Sequence, residues 1–456
     1  MTQLYKPKFS AKINGDQLFS GIWIRWQALT WGERLACANI ILIPVWWVVG
    51  IYKYMSSLLF LGVVLYEWQK HGEFRLKRPT LPVMALIAFG LYQTVKILFI
   101  YSTPGRNTFS NVLILTIGPA IWLWYIQSNN IRVRLAPIAW ACTISVIQMI
   151  VFWAIIHFIV PETVFLPSNI PTLFAQLANK RVEDTGFADN NNPFYLLPYQ
   201  MAGEGVRRYN IFFVYPEYFA VVVAFMATIA LDIKNRFWSW SLIVGCVFLL
   251  YLSQTRMVWI AFPLIVGLHY LMKNFGQRWV PALTFAAIAI FSFATLSFAP
   301  TTSFILDQFT TSTQTISEYR ADSTELRFEI YRQTIESILE DEEQIIWGHA
   351  TVGPSLLPGN TVARIGTHSF ILGTLLYLNG LVGTVIFLVF WISLFVWFYK
   401  TRAGRPLACF GILLLYTFVS PSLELVYGNS TSALMILLCA ALRSPKPKFF
   451  PGVRHA

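Results

Sequence analysis

The chain has 456 residues, 56% of them hydrophobic and 12% charged, and its mean hydropathy is +0.56. Soluble domains carry about 25% charged residues, so an ordinary soluble fold is excluded, and apolar runs that are continuous rather than alternating exclude a β-barrel. The net charge of +12 does not point to nucleic acid, because most Lys and Arg stand in short loops between apolar runs, where membrane topology places them.

The expected fold is an all-α polytopic membrane protein of about twelve transmembrane helices with two larger extracytoplasmic loops. Residues 1–34 form a cytoplasmic tail, basic at first, in which 16–31 spaces Leu18, Phe19, Ile22, Trp23, Trp26 and Leu29 as an interfacial amphipathic helix. The first apolar run starts too far in for a cleavable signal, so it is read as a retained anchor. Helices one to nine fall within 35–299, at 35–51, 53–68, 80–101, 109–127, 136–160, 210–232, 237–253, 256–272 and 279–299. A large loop covers 300–367, helices ten to twelve follow within 368–443 at 368–398, 406–421 and 429–443, and 444–456 is a second cytoplasmic tail. Gly380 and Gly383 could break the long tenth run into an interfacial helix and a true span.

Charge tests this order. With the N-terminus in the cytoplasm, every cytoplasmic loop is basic, for example Arg132 with Arg134, Lys234 with Arg236, and Lys273 with Arg278. Loops 161–209 and 300–367 then lie outside. Arg207, Arg208 and Arg256 stand at the outer ends of spans, where Arg is usually avoided, so that surface wants positive charge.

Loop 161–209 is Pro-rich, with a short helix expected at Pro171–Asn179. In 300–367 an amphipathic helix runs from a cap at Asp322, Ser323 or Thr324 to about Glu342. Its apolar stripe is Tyr331, Ile335, Ile338 and Leu339. It is either a solvated lid on the bundle or a helix that hangs Arg327 or Arg332 over a membrane-facing site. The acids of Glu340–Glu343 lack calcium-loop spacing and read as a solvated helix end. The five cysteines, Cys37, Cys142, Cys246, Cys409 and Cys439, all sit in apolar runs without metal spacing, so they read as small buried residues. Neither a metal nor a cofactor is expected.

His368 stands at the mouth of the tenth run. A neutral imidazole can take a proton from an alcohol near neutral pH, and Arg is the forked, permanently charged clamp for phosphate oxygens. One His and several Arg at a lipid interface suggest attack on a lipid-linked phosphate ester. Glu217 needs a partner in an apolar run, either a structural Arg or a group of the site. Lys96 could snorkel to the nearer interface.

Four stretches resemble the O-antigen ligase and polymerase superfamily of integral-membrane glycosyltransferases. They are Arg208 followed by Pro216 at the head of a span; Ser253-Gln254-Thr255-Arg256; Arg327 to Arg332 leading into Trp347-Gly348 and Gly353; and His368-Ser369 with Asn379-Gly380 and Gly383. Ser369 stands where that family commonly has Asn. The resemblance implies metal-independent, inverting transfer of a glycan from a polyprenyl-pyrophosphate donor to an acceptor hydroxyl, in a bacterial inner membrane with the active site facing the periplasm. The acceptor would be a glycan or a lipid-linked saccharide. Arg208, Arg256 and Arg327 would bind the donor pyrophosphate, His368 would be catalytic, and Arg207 and Glu217 would support them. Membrane lipids are the other expected partners, and nucleic acid is not one. A transporter of a small polar solute or anion is the alternative. It should place charge near the bilayer midplane, whereas here charge gathers at the span ends.

Overall fold

A computed structural model describes residues 18–72, 76–100, 112–165, 170–178, 195–201, 207–274, 321–349, 351–356, 363–424 and 430–444. The expected ninth span (279–299), the first part of the large loop and the terminal tails 1–15 and 445–456 lie outside these residues.

Helices occupy every other expected span. The first is α1 (Trp31–Ile41) with α2 (Ile43–Val49), bent by 60° where Pro44 enters the second helix. Next come α3 (Tyr52–His71), α4 (Leu81–Val95, continued by a π-helical turn Lys96–Ile100), α5 (Gly118–Ser128, after a π turn Leu113–Ile117) and α6 (Leu135–Phe158). A short α7 (Leu173–Leu177) and the strand pair β1 (Tyr199–Met201) and β2 (Arg207–Tyr209) precede α8 (Pro216–Ala230), α9 (Arg236–Ser253) and α10 (Arg256–Asn274). Beyond 320 come α11 (Ala321–Leu339) and α12 (Glu342–Trp347). A π segment Phe370–Tyr377 then leads into α13 (Leu378–Lys400), followed by α14 (Ala408–Val419) and α15 (Ser430–Ala441). Among the described residues, five helices, or six counting the bent pair, are long and apolar enough to cross a membrane, and α8 and α14 are shorter apolar helices.

The centre of the bundle is α8. Every residue in it except Glu217 is buried, because α6, α9, α10, α14 and α15 pack around it. Its polar N-terminus therefore sits at a fixed place, with Glu217 in the first turn. Residues 210–215 are irregular, since Asn210 Nδ2 donates to the carbonyls of Phe213 (2.6 Å) and Val214 (3.2 Å) and draws the chain into a turn before Pro216.

Four local expectations are corrected. Residues 18–29 are not an amphipathic helix: Phe19–Ser20 and Trp23–Ile24 pair as a hairpin, and a 3-10 turn follows at Trp26–Ala28. Gly21 takes a left-handed φ of 62° in the tight turn, which breaks helical winding. The helix expected from Pro171 starts after Thr172, whose hydroxyl caps Ala175 N, while Pro171 bridges to Tyr195. The helix expected to reach Glu342 ends at Leu339, because Asp341 N-caps α12. Lys96 does not snorkel. It is 5% exposed and donates to the carbonyls of His349 and Leu378.

The break at Gly380 is present, with φ 60°. Gly348, at φ 77°, crosses it so closely that a Cβ on either glycine would strike the other's backbone nitrogen. Tyr92 on α4 ties the crossing: its hydroxyl, with one proton to donate, lies 2.8 Å from the carbonyls of both Trp347 and Asn379. The segment after α12 is thus pinned to the head of α13, and Tyr377 packs beneath Gly366, two residues before His368.

Candidate active site

Arg208, Glu217, Arg256 and Arg327 line one cavity of about 340 Å³, together with Gln254, Thr255, Met257, Phe328, Tyr331, Ser422 and Leu423. Each arginine reaches it by a separate device. β2 pairs antiparallel with β1, with Arg208 opposite Gln200. Successive strand residues face opposite ways, so Arg208 turns into the cavity while Arg207 lies over the Tyr199 ring at 5.2 Å. The expected supporting role of Arg207 therefore has no place in the cavity wall.

Arg256 is carried by the α9–α10 hairpin. Gln254 takes φ 49°, and Ser253 Oγ donates to Leu250 O and accepts from Thr255 N. Thr255 Oγ1 then donates to Pro216 O at 3.3 Å, which joins the hairpin to the head of α8. Arg256 opens α10. A cation at the positive end of a helix dipole is unfavourable by itself and favours an anion in front of it. Arg327 comes from α11.

Glu217 gathers two of the three. Its Oε1 lies 3.0 Å from Arg208 Nη2 and 3.8 Å from Arg327 Nη2. Arg256 has no acidic partner among the described residues, and Arg208 Nε is buried without a hydrogen bond. Three guanidinium groups thus face one carboxylate, with donor capacity left over. Arg332 does not join them, because Glu329 and Glu336 hold it at 2.6 Å on the exposed side of α11.

His368 is not part of the cavity wall, but it shares its supports. Tyr331, a wall residue, donates its hydroxyl to His368 O at 3.2 Å. Thr334 Oγ1 accepts from Gly366 N at 2.9 Å. Phe370 N donates to Ser420 O (3.0 Å) and Leu423 O (3.1 Å), so the wall at Ser422–Leu423 and the His segment are tied. His368 itself is held at φ 67°, uncommon for a residue with a Cβ.

The tautomer follows from one contact. Thr367 Oγ1 donates its single proton to Arg364 O at 2.6 Å. Toward His368 Nδ1, at 2.7 Å, the hydroxyl can then only accept. Nδ1 therefore carries the ring proton and Nε2 keeps a lone pair. Burial, with the Arg327 charge second, pushes the imidazole down to about 4, so it is neutral near pH 7, although Glu217 pulls the other way.

Two contributors escaped sequence reasoning. Thr367 gives no local signal of its role. Glu424 follows the Leu423 wall residue, and burial raises its carboxyl to about 7; its carbonyl accepts from Tyr218 OH at 3.2 Å. Its polar-in-apolar context was a signal that could have been used. Two other histidines have local partners: His157 Nδ1 meets Tyr209 OH at 2.8 Å, and the His349 ring stacks on Tyr377 at 3.8 Å. No cluster of metal-binding side chains occurs among the described residues.

Residues 240–388 match the O-antigen ligase family. This stretch belongs to the O-antigen ligase/polymerase superfamily. No curated protein sequence matches the chain. The ligase-family stretch runs from within α9 into α13 and contains Arg256, Arg327 and His368, while Arg208 and Glu217 reach the same cavity from outside it. Membership and the apolar helices indicate a membrane enzyme of glycan transfer, of the multi-pass bacterial inner-membrane kind.

Proposed function

We propose that the protein transfers a glycan from a polyprenyl-pyrophosphate donor to an acceptor hydroxyl at the periplasmic face, without metal and with inversion. One observation carries this reading: three arginines and a single glutamate converge on one cavity where α8 and α10 begin. Forked guanidinium groups and helix N-termini suit a polyanionic phosphate better than a neutral solute.

The donor pyrophosphate sits against Arg256, Arg208 and Arg327. Glu217 holds the last two in register and keeps the cavity from binding its product too tightly. The acceptor oxygen attacks the anomeric carbon of the donor glycan from the face opposite the pyrophosphate. The new carbon–oxygen bond forms as the anomeric carbon–phosphate oxygen bond breaks. That electron pair leaves on the pyrophosphate, where the arginines meet the developing charge. The acceptor proton passes to His368 Nε2 and then to water. A base so low in pKa is a weak proton acceptor, so much of the driving force must come from stabilising the leaving group.

The same donor and chemistry serve a ligase, whose acceptor is a lipid-core sugar, and a polymerase, whose acceptor is another lipid-linked repeat. The test is release of polyprenyl pyrophosphate from a lipid-linked glycan in reconstituted vesicles. The wild type should release it with an acceptor present, and His368→Ala and Arg256→Ala should not. No release from any donor, with uptake of anions by the vesicles, would favour transport instead.

A further inference from the structure

The sequence groups Tyr331, Ile335, Ile338 and Leu339 as one apolar stripe, and the structure divides them, with Ile338 half-buried. The packed face of α11 is Ile330 and Thr334, at 0% and 1% exposure, with Tyr331 turned to His368. Phe328, Ile335 and Leu339 remain 69%, 47% and 67% exposed. Their spacing puts all three on one line along the helix, beside the row Glu329, Arg332 and Glu336, whose charges are paired with one another.

The place of α11 says what covers that line. The helix packs on Phe370–Tyr377, the first turns of the 31-residue apolar helix Phe370–Lys400, so it lies at a membrane boundary. The exposed apolar surface continues on α12 with Ile346 and Trp347. Trp347 O is bonded by Tyr92 on α4, whose Leu91, Val95, Leu98 and Phe99 are uncovered on the same span. Trp347, a residue favoured at the headgroup level, thus ties the helix that carries this exposed band to the segment that follows α11.

We propose that α11 lies in the surface of the leaflet at the arginine end of the bundle, with Phe328, Ile335 and Leu339 seated among the lipids and its paired charges toward water. Lipid is the partner because the segment that follows α11 is tied to that exposed band. The paired charged row beside it suits an interfacial helix. Phe328 belongs both to this line and to the wall of the arginine cavity. The cavity therefore opens at the membrane surface, and a lipid-borne phosphate reaches the arginines without leaving the leaflet. The inference does not need the transferase reading.

The test is depth-dependent fluorescence quenching in phosphatidylethanolamine/phosphatidylglycerol proteoliposomes. Ile335→Cys, Leu339→Cys and Glu336→Cys each carry an environment-sensitive label; the five native cysteines are buried, and labelling of the wild type measures their background. Labels at 335 and 339 should be quenched by a shallow nitroxide lipid and spared by aqueous iodide, and the label at 336 should show the reverse. Equal iodide quenching at all three positions would overturn the proposal. So would shielding of 335 and 339 from both quenchers, whether with a cross-linked dimer, which assigns the face to a second copy, or without one, which assigns it to another part of this chain.

Discussion

Thr367→Val tests how the imidazole is prepared. The substitution keeps the shape of the side chain but removes the oxygen that accepts from His368 Nδ1 at 2.7 Å. Leaving a buried N–H without its acceptor costs about 1–3 kcal/mol, and each 1.4 kcal/mol is about tenfold in rate. If Nε2 takes the acceptor proton, kcat should fall by about 5- to 150-fold. The donor KM should hardly move, because the arginine cavity does not include Thr367. Thr367→Ser restores the hydroxyl and should recover most of the rate. The assay is initial-rate release of polyprenyl pyrophosphate, with thermal unfolding in detergent to show that both variants fold. A well-folded Thr367→Val with wild-type kcat would refute the tautomer argument, and so would a Thr367→Ser as slow as the valine.

Arg256→Lys keeps the charge at the head of α10 but loses the fork, so donor turnover should drop at least about tenfold, near 1.4 kcal/mol; near-normal kcat/KM would count against a pyrophosphate clamp. His368 has its pKa lowered to about 4, so the basic form is complete well below neutrality: kcat/KM should rise as pH climbs through about 4 and then stay level through pH 6, where an ordinary imidazole would still be about three-quarters charged. A limb centred near 6.5 would show that burial and Arg327 do not act on this ring as described. Gly380→Ala must tolerate φ 60° and a collision with Gly348 N; a destabilisation of at least about 1–2 kcal/mol is expected, visible as a lower Tm, and an unchanged Tm would deny the close crossing. Arg332→Gln removes only an exposed pair with Glu329 and Glu336 and should leave turnover within about twofold, the scale of a surface ion pair; a large loss would place Arg332 in the site.

Much of the fold was legible because membrane helices declare themselves locally. Twenty-residue apolar runs and basic loops state where the chain crosses, and each described crossing falls on such a run. Arg208, Arg256 and His368 could be singled out because each is a costly residue at the end of an apolar run, and Arg327 because an amphipathic helix of the large loop carries it. Packing decided the rest. Arg207 and Arg208 look alike in the sequence, and only the pairing of Arg208 with Gln200 sends one to the cavity and the other to Tyr199. Glu217 could be known to need a cation, but the choice of Arg208 and Arg327 depends on α11 folding over α8. Periodicity grouped Tyr331 with Ile335, Ile338 and Leu339, yet α11 packs along one side only, and the tertiary structure placed Tyr331 against His368 and left Ile335 and Leu339 facing outward. Sequence patterns reveal which side chains share a face, because that follows from backbone geometry. What each face meets depends on segments far apart in the chain, and that is where the site was made.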